Sequence, residues 1–171
     1  CSTVETSNAV IFSTGDAAEL CVCTASVDQL YVNATGTDPL DLSCLTTVIG
    51  ELQIENSDAA TVDLSGVTSV GGDVIVGDTG LRTAVDLSAL TSVGGRVALE
   101  SNDQLQSVDL GALSAITGQL YLYDNDTLAT LTLSSLASVG GSFYAYHNDV
   151  ILDLDVPSLS SLGDELYVVY N

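Results

Sequence analysis

The eleven residues Val85-Asp86-Leu87-Ser88-Ala89-Leu90-Thr91-Ser92-Val93-Gly94-Gly95 nearly repeat Val62-Asp63-Leu64-Ser65-Gly66-Val67-Thr68-Ser69-Val70-Gly71-Gly72, 23 residues earlier. Weaker copies follow at that interval. Glycines recur at the same phase at Gly50, Gly72, Gly95, Gly118 and Gly141, with Gly163-Asp164 in the last copy. A unit this short cannot bury its own apolar side, so each coil must stack on the next. The chain therefore reads as one solenoid domain over residues 1–171, with an N-terminal cap at 1–27, repeats at 28–171 and an incomplete last coil.

Within one unit, Val97 and Leu99 alternate with Ala98 and Glu100, the period of a short strand with one face buried. The equivalent inward pairs are Leu52 and Ile54, Val74 and Val76, Leu120 and Leu122, Phe143 and Ala145, and Leu166 and Val168. A second strand carries Val85 and Leu87 or Val108 and Leu110, and a third inward pair such as Leu90 and Val93 closes the turn. The expected fold is all-β: a parallel β-solenoid of about six 23-residue coils. The glycine doublets call for a tight or positive-φ corner where a Cβ would strike the neighbouring coil. They do not suit phosphate, because a strand and not a helix follows them. Asn56, Asn102, Asn125, Asn148 and Asn171 end the first strand of successive units, with Asp78 substituting once and a one-residue shift at Asn56, and are expected to stack as a ladder.

The chain carries 23 acidic residues against two arginines, Arg82 and Arg96, for a formal net charge of -21. Nucleic acid and anionic membrane surfaces are poor partners for such a charge. Apolar residues at 46% and their regular period separate it from acidic disordered chains. No apolar run is long enough to span a bilayer. Methionine is absent and the sequence opens on Cys1, so a processed product that has lost a secretory signal is expected. All four cysteines, Cys1, Cys21, Cys23 and Cys44, lie in the first quarter, where a first coil needs a lid. Two disulfides are expected in a secreted chain, pairing Cys1 with Cys21 and Cys23 with Cys44, or Cys1 with Cys23 and Cys21 with Cys44. A lipid carried on Cys1 is the alternative. Of the two Asn-x-Thr sequons, Asn33 and Asn125, the ladder should occupy Asn125 and leave Asn33 as the acceptor.

The pattern Leu87-x-x-Leu90-x-x-Val93 followed by Val97-x-Leu99-x-x-Asn102 is similar to a leucine-rich repeat with an insertion at the double glycine. The recurring leucine, serine, valine and double glycine before a strand resemble receptor L-domain repeats, found in extracellular receptor L domains, fungal lipid-anchored cell-wall glycoproteins and bacterial surface proteins. The resemblance covers about residues 28–171. It implies a right-handed coil, a disulfide-bonded N-terminal cap, a place outside the cell and no catalytic residues. Two departures stand out: no cysteines close the C-terminal end, and the last coil stops after one strand at Asn171. Truncation, or another element covering that end, would account for the second.

Six of the seven tyrosines fall in the last three coils, at the outward phase of the first strand. Tyr121, Tyr144 and Tyr167 share one column, Tyr123 and Tyr146 the next, and His147 and Tyr170 lie near the strand end, making an expected binding face for protein or glycan. The aspartates at 41, 63, 86, 109 and 155 form another column, and Asp103, Asp126 and Asp149 follow the asparagines at a corner. The latter three are weak candidates for Ca2+, since neither matches a known calcium motif, and no cofactor is otherwise expected. His147 is the only histidine and no nucleophile motif occurs, so an enzyme is not expected. The functional expectation is a secreted or cell-surface protein for adhesion, recognition or envelope architecture through its tyrosine face. The alternatives are a head-to-tail filament, self-associating through its uncapped C-terminal coil, and a calcium-dependent glycan-binding module.

Overall fold

The computed structural model describes residues 8–23, 26–80, 84–150 and 155–169, apart from the side chains of 19 and 21–23. It is a β-solenoid of about six parallel, stacked coils with little helix. Three sheets run along its length. The first holds Asn8–Ile11, Gln29–Val32, Leu52–Glu55, Val74–Gly77, Val97–Glu100, Leu120–Tyr123, Phe143–Tyr146 and Leu166–Val169. The second holds Leu40–Asp41, Thr61–Asp63, Ala84–Asp86, Ser107–Asp109 and Thr130–Thr132. The third holds Ser26–Val27, Thr47–Val48, Ser69–Val70, Ser92–Val93, Ala115–Ile116, Ser138–Val139 and Ser161–Leu162.

Adjacent coils pair in register, so like meets like: Val74, Val97 and Leu120 align on the first sheet, and Val62, Val85 and Val108 on the second. The inward side chains form one continuous core, with Leu52, Val74, Val97, Leu99, Leu120, Leu87 and Leu90 all fully buried. Each such side chain contributes on the order of 1.5–3 kcal/mol, which holds only while a coil lies on either side. The last strand shows the converse. Leu166 and Val168 have the inward phase of Phe143 and Ala145, yet are 61% and 47% exposed. Expected as a buried pair, they face solvent because no described coil lies beyond them.

The first coil departs from the strand rule. Where later coils carry a strand of the second sheet, it has the helix Thr14–Cys23, packed against Asn8–Ile11 and Leu40–Asp41. Ser13 and Asp16 start it as a capping box: the Ser13 hydroxyl accepts from the Asp16 amide at 3.3 Å and donates to the Asp16 carboxylate at 2.9 Å. The same carboxylate also accepts from the Phe12 amide. Ala17 is buried and Leu20 packs beside it, so the helix closes the start of the core.

The glycine corners work by close approach. A Cβ on Gly94 would sit 2.1 Å from the Gly71 carbonyl oxygen, and one on Gly71 would sit 2.0 Å from that of Ile49. No described glycine has a positive φ, which corrects that part of the expectation. The left-handed residues lie elsewhere, one per coil after the first strand: Asn56, Asp78, Ser101, Asp124 and His147, with φ between 48° and 57°.

The polar ladder sits one residue further on. Asn102, Asn125 and Asn148 are fully buried. The Asn102 amide donates to Oδ1 of Asn125 and the Asn125 amide to Oδ1 of Asn148, each at 2.9 Å. The amides of Asn102, Asn125 and Asn148 also donate to the carbonyls of Val76, Leu99 and Leu122, respectively. Thr79 extends the row by donating to Oδ1 of Asn102 at 2.7 Å, and Ser57 fills the next place. Asn56 and Asp78 are therefore not ladder members: both are exposed, in the left-handed column. Asn171 lies outside the described residues.

Three substitutions test this frame. Gly94→Ala should lower unfolding stability by about 1–3 kcal/mol through overpacking. Gly36→Ala, with nothing within 4 Å of its Cβ, should stay within about 0.5 kcal/mol in the same urea titration. Asn125→Ala should cost roughly 1–3 kcal/mol for each buried group left unpaired, read as a lower midpoint at an unchanged denaturant slope.

Candidate functional site

The outward face of the first sheet carries two neighbouring columns. One runs Gln53, Ile75, Ala98, Tyr121, Tyr144, Tyr167, and the next runs Glu55, Gly77, Glu100, Tyr123, Tyr146, Val169. The tyrosines thus gather at the C-terminal end, as their spacing predicts. Tyr31 belongs to the same first column, paired with Gln53, and was missed because three coils separate it from the cluster. The stretch between has Ile75 and Ala98 nearly or fully buried though they point outward. Glu100 covers part of it, its Cγ lying 3.2 Å from where a Gly77 Cβ would be.

The rings do not lie as a flat stack. Tyr121 meets Tyr146 edge to face at 5.7 Å between centroids and 87°, and meets Tyr144 at 6.0 Å and 67°. Tyr167 meets Tyr144 at 6.1 Å and Tyr146 at 6.3 Å. Those four rings close a circuit, with Tyr123 packed on Tyr146 at 4.7 Å. The His147 ring stands 5.7 Å from Tyr146 and 6.0 Å from Tyr123. Edge-to-face contact suits the negative faces and positive edges of the phenols. Together Tyr121, Tyr144, Tyr146, His147, Glu165 and Tyr167 line a shallow, open groove of about 500 Å³. Tyr170 lies outside the described residues.

The Tyr121 and Tyr146 hydroxyls are hydrogen-bonded to each other. That bond, then burial, then the charges of Tyr146 and Glu100, push the Tyr121 phenol up to about 12. Acids crowd the same sheet. Burial first, then Asp78, Glu100 and Glu51, raise Glu55. Partial desolvation, then the charges of Asp149, Asp124 and Asp103, raise Asp126, against the lowering influence of His147. Among the described residues the one arginine, Arg96, is held by Asp73, its Nε 3.2 Å from Oδ2.

The other acidic column is a structural device. Asp41, Asp63, Asp86 and Asp109 each accept, through Oδ1, the amide of the second residue on, at 2.9–3.1 Å. These are Asx turns that lead the chain out of the second sheet. The Ser43 hydroxyl and amide hold Asp41 below the usual carboxylate range, so its contribution to stability is full above the ordinary aspartate pKa and fades on acidification. Asp103, Asp126 and Asp149 lie exposed on their corner. Among the described residues no group of three or more acidic, histidine or cysteine side chains is gathered in a way that could hold a metal ion.

Cys44 is disulfide-bonded. Its partner sulfur lies outside the described side chains, as do Cys1, Cys21 and Cys23. Asn33 is half-buried, its amide 3.4 Å from the Tyr31 hydroxyl, whereas the other sequon asparagine, Asn125, is fully buried. No described helix is long and apolar enough to cross a membrane. Compared with known proteins, the chain matches no family model, no curated protein and no solved structure.

Because the folded state holds the Tyr121 proton more tightly, its stabilising effect is full below about 10, the ordinary phenol value, and is lost as pH rises toward about 12. In an alkaline absorbance titration one phenol should therefore ionise late. Tyr146→Phe should return that step toward about 10.

Proposed function

We propose that this chain is a non-enzymatic recognition module of the cell surface or extracellular space, which binds a partner through the tyrosine end of its first sheet. One observation carries the reading: successive coils bring five tyrosines into contact with one another, four of them lining a groove of about 500 Å³. Clustered aromatics at one end of a stack exceed what strand propensity requires, and aromatic clusters of this kind dominate interface energetics. The disulfide at Cys44 and the strongly acidic surface support a place outside the cell. The resemblance to receptor L domains supports a right-handed coil and a cap closed by Cys1, Cys21, Cys23 and Cys44, with Asn33 as the sugar acceptor where glycosylation occurs. Tyr144→Ser should leave the melting temperature within a few degrees and weaken partner capture at least about tenfold, as loss of a hot-spot side chain does. Retained capture by a folded Tyr144→Ser protein would reject the face.

A second reading rests on the exposed Leu166 and Val168. These core-phase residues and the outer edge of Leu166–Val169 suit addition of another subunit, head to tail. Light scattering of the native material should then show particles that grow with concentration, and Val168→Lys should abolish that growth; a constant monomer mass would exclude the filament.

A further inference from the structure

We propose that the tyrosine groove receives the arginine or lysine side chains of a basic segment on a protein partner. This rests on the recognition reading above and adds the chemistry of the partner.

The ring geometry is the first argument. Tyr121, Tyr144, Tyr167 and Tyr146 form a closed circuit with sides of 5.7–6.3 Å, at angles from 57° to 87°. Such a box offers no coplanar platform for a sugar ring to lie on. It does set four phenol rings around one point. A cation over the middle of the circuit falls within the roughly 6 Å of a ring centroid at which cation–π attraction acts.

Charge is the second argument. Glu165 lines the groove, Glu100 pairs across from Tyr123, and Asp124, Asp126 and Asp149 continue along the corner past His147. These carboxylates on one side of the rings make a negative field that one cation would relieve. No described arginine faces the groove, since Arg96 is held by Asp73 on an earlier coil, and the chain has no lysine. An anionic partner is repelled, and a neutral one gains nothing from a net charge of -21. The groove's openness decides between a free small cation and a peptide. A lone quaternary ammonium would stay half in water here, whereas a basic segment can seat one head among the rings and run its next charges along the acidic corner.

The test is calorimetric titration of the intact protein with tetra-arginine, tetra-lysine and choline, alongside a neutral glycan array. The variants are Tyr144→Leu, Glu165→Gln and, as an equal change of charge far from the groove, Asp58→Asn. The proposal expects tetra-arginine or tetra-lysine to bind. Tyr144→Leu, which keeps the apolar bulk but removes the π face, should weaken that binding at least about threefold. Glu165→Gln should weaken it and Asp58→Asn should not. Equal affinity in wild type and Tyr144→Leu would reduce the binding to general attraction between polyions and overturn the inference. Choline binding better than the peptides would overturn it in favour of a small-cation site. A neutral glycan lost on Tyr144→Leu, with no competition from the basic peptides, would overturn the inference while leaving the recognition reading intact. No ligand of any class responding to Tyr144→Leu would reject both.

Discussion

The backbone pairing between coils, one strand spacing of about 4.8 Å along the axis, governs everything else in this molecule. Parallel registry puts equivalent residues directly over one another, so each position in the repeat becomes a column running the length of the rod. A column has to tolerate its own residue type as a neighbour. Leucine and valine do so inside, because they interlock and exclude water. Glycine is required at Gly94 because a carbonyl oxygen of the coil below occupies the place a Cβ would take. Asparagine does so in the buried corner because each amide both donates and accepts. Even aspartate is tolerated on the second sheet, since each carboxylate is occupied by the turn amide of its own coil.

The same rule explains why the tyrosine cluster is a local feature and not a property of the whole face. Ala98 and Gly77 interrupt the two outward columns, and Glu100 leans over the gap. Beyond them, three coils in a row place aromatic side chains where the spacing forces ring against ring. Their tilt relieves the repulsion of stacked π faces and hollows the groove. Function, on this reading, comes from breaking the monotony of the repeat at one end while the core keeps it.

Much of this was legible before the structure, because side-chain period and column phase survive in the sequence. The coil count, the inward pairs and the outward tyrosines follow from the spacing alone. The ladder was misread for one reason: two adjacent columns can favour the same residue types. Asparagine and aspartate suit a left-handed corner as well as a buried ladder, so Asn56 and Asp78 looked like ladder members. The third coil is one residue short there, Leu52 pairing with Val74 rather than at the 23-residue step that links Val74 to Val97. Glycine likewise serves a positive φ or a close approach, and only the contacts separate them. The helix at Thr14–Cys23 lies outside the repeat, so no periodic argument reached it, although Ser13-x-x-Asp16 carried the signal.

The amide ladder has a sense. Thr79, Asn102 and Asn125 each donate toward the C-terminal neighbour and accept nothing from that side, so the side-chain dipoles add along the axis and polarise one another. A copy of one whole coil inserted in tandem preserves that sense and every column with it, whereas a reversed or fractional insertion breaks both. The molecule can therefore change length by whole units without redesigning its interior, and the near-identity of the segments ending at Gly72 and Gly95 shows one stretch of sequence serving two successive coils.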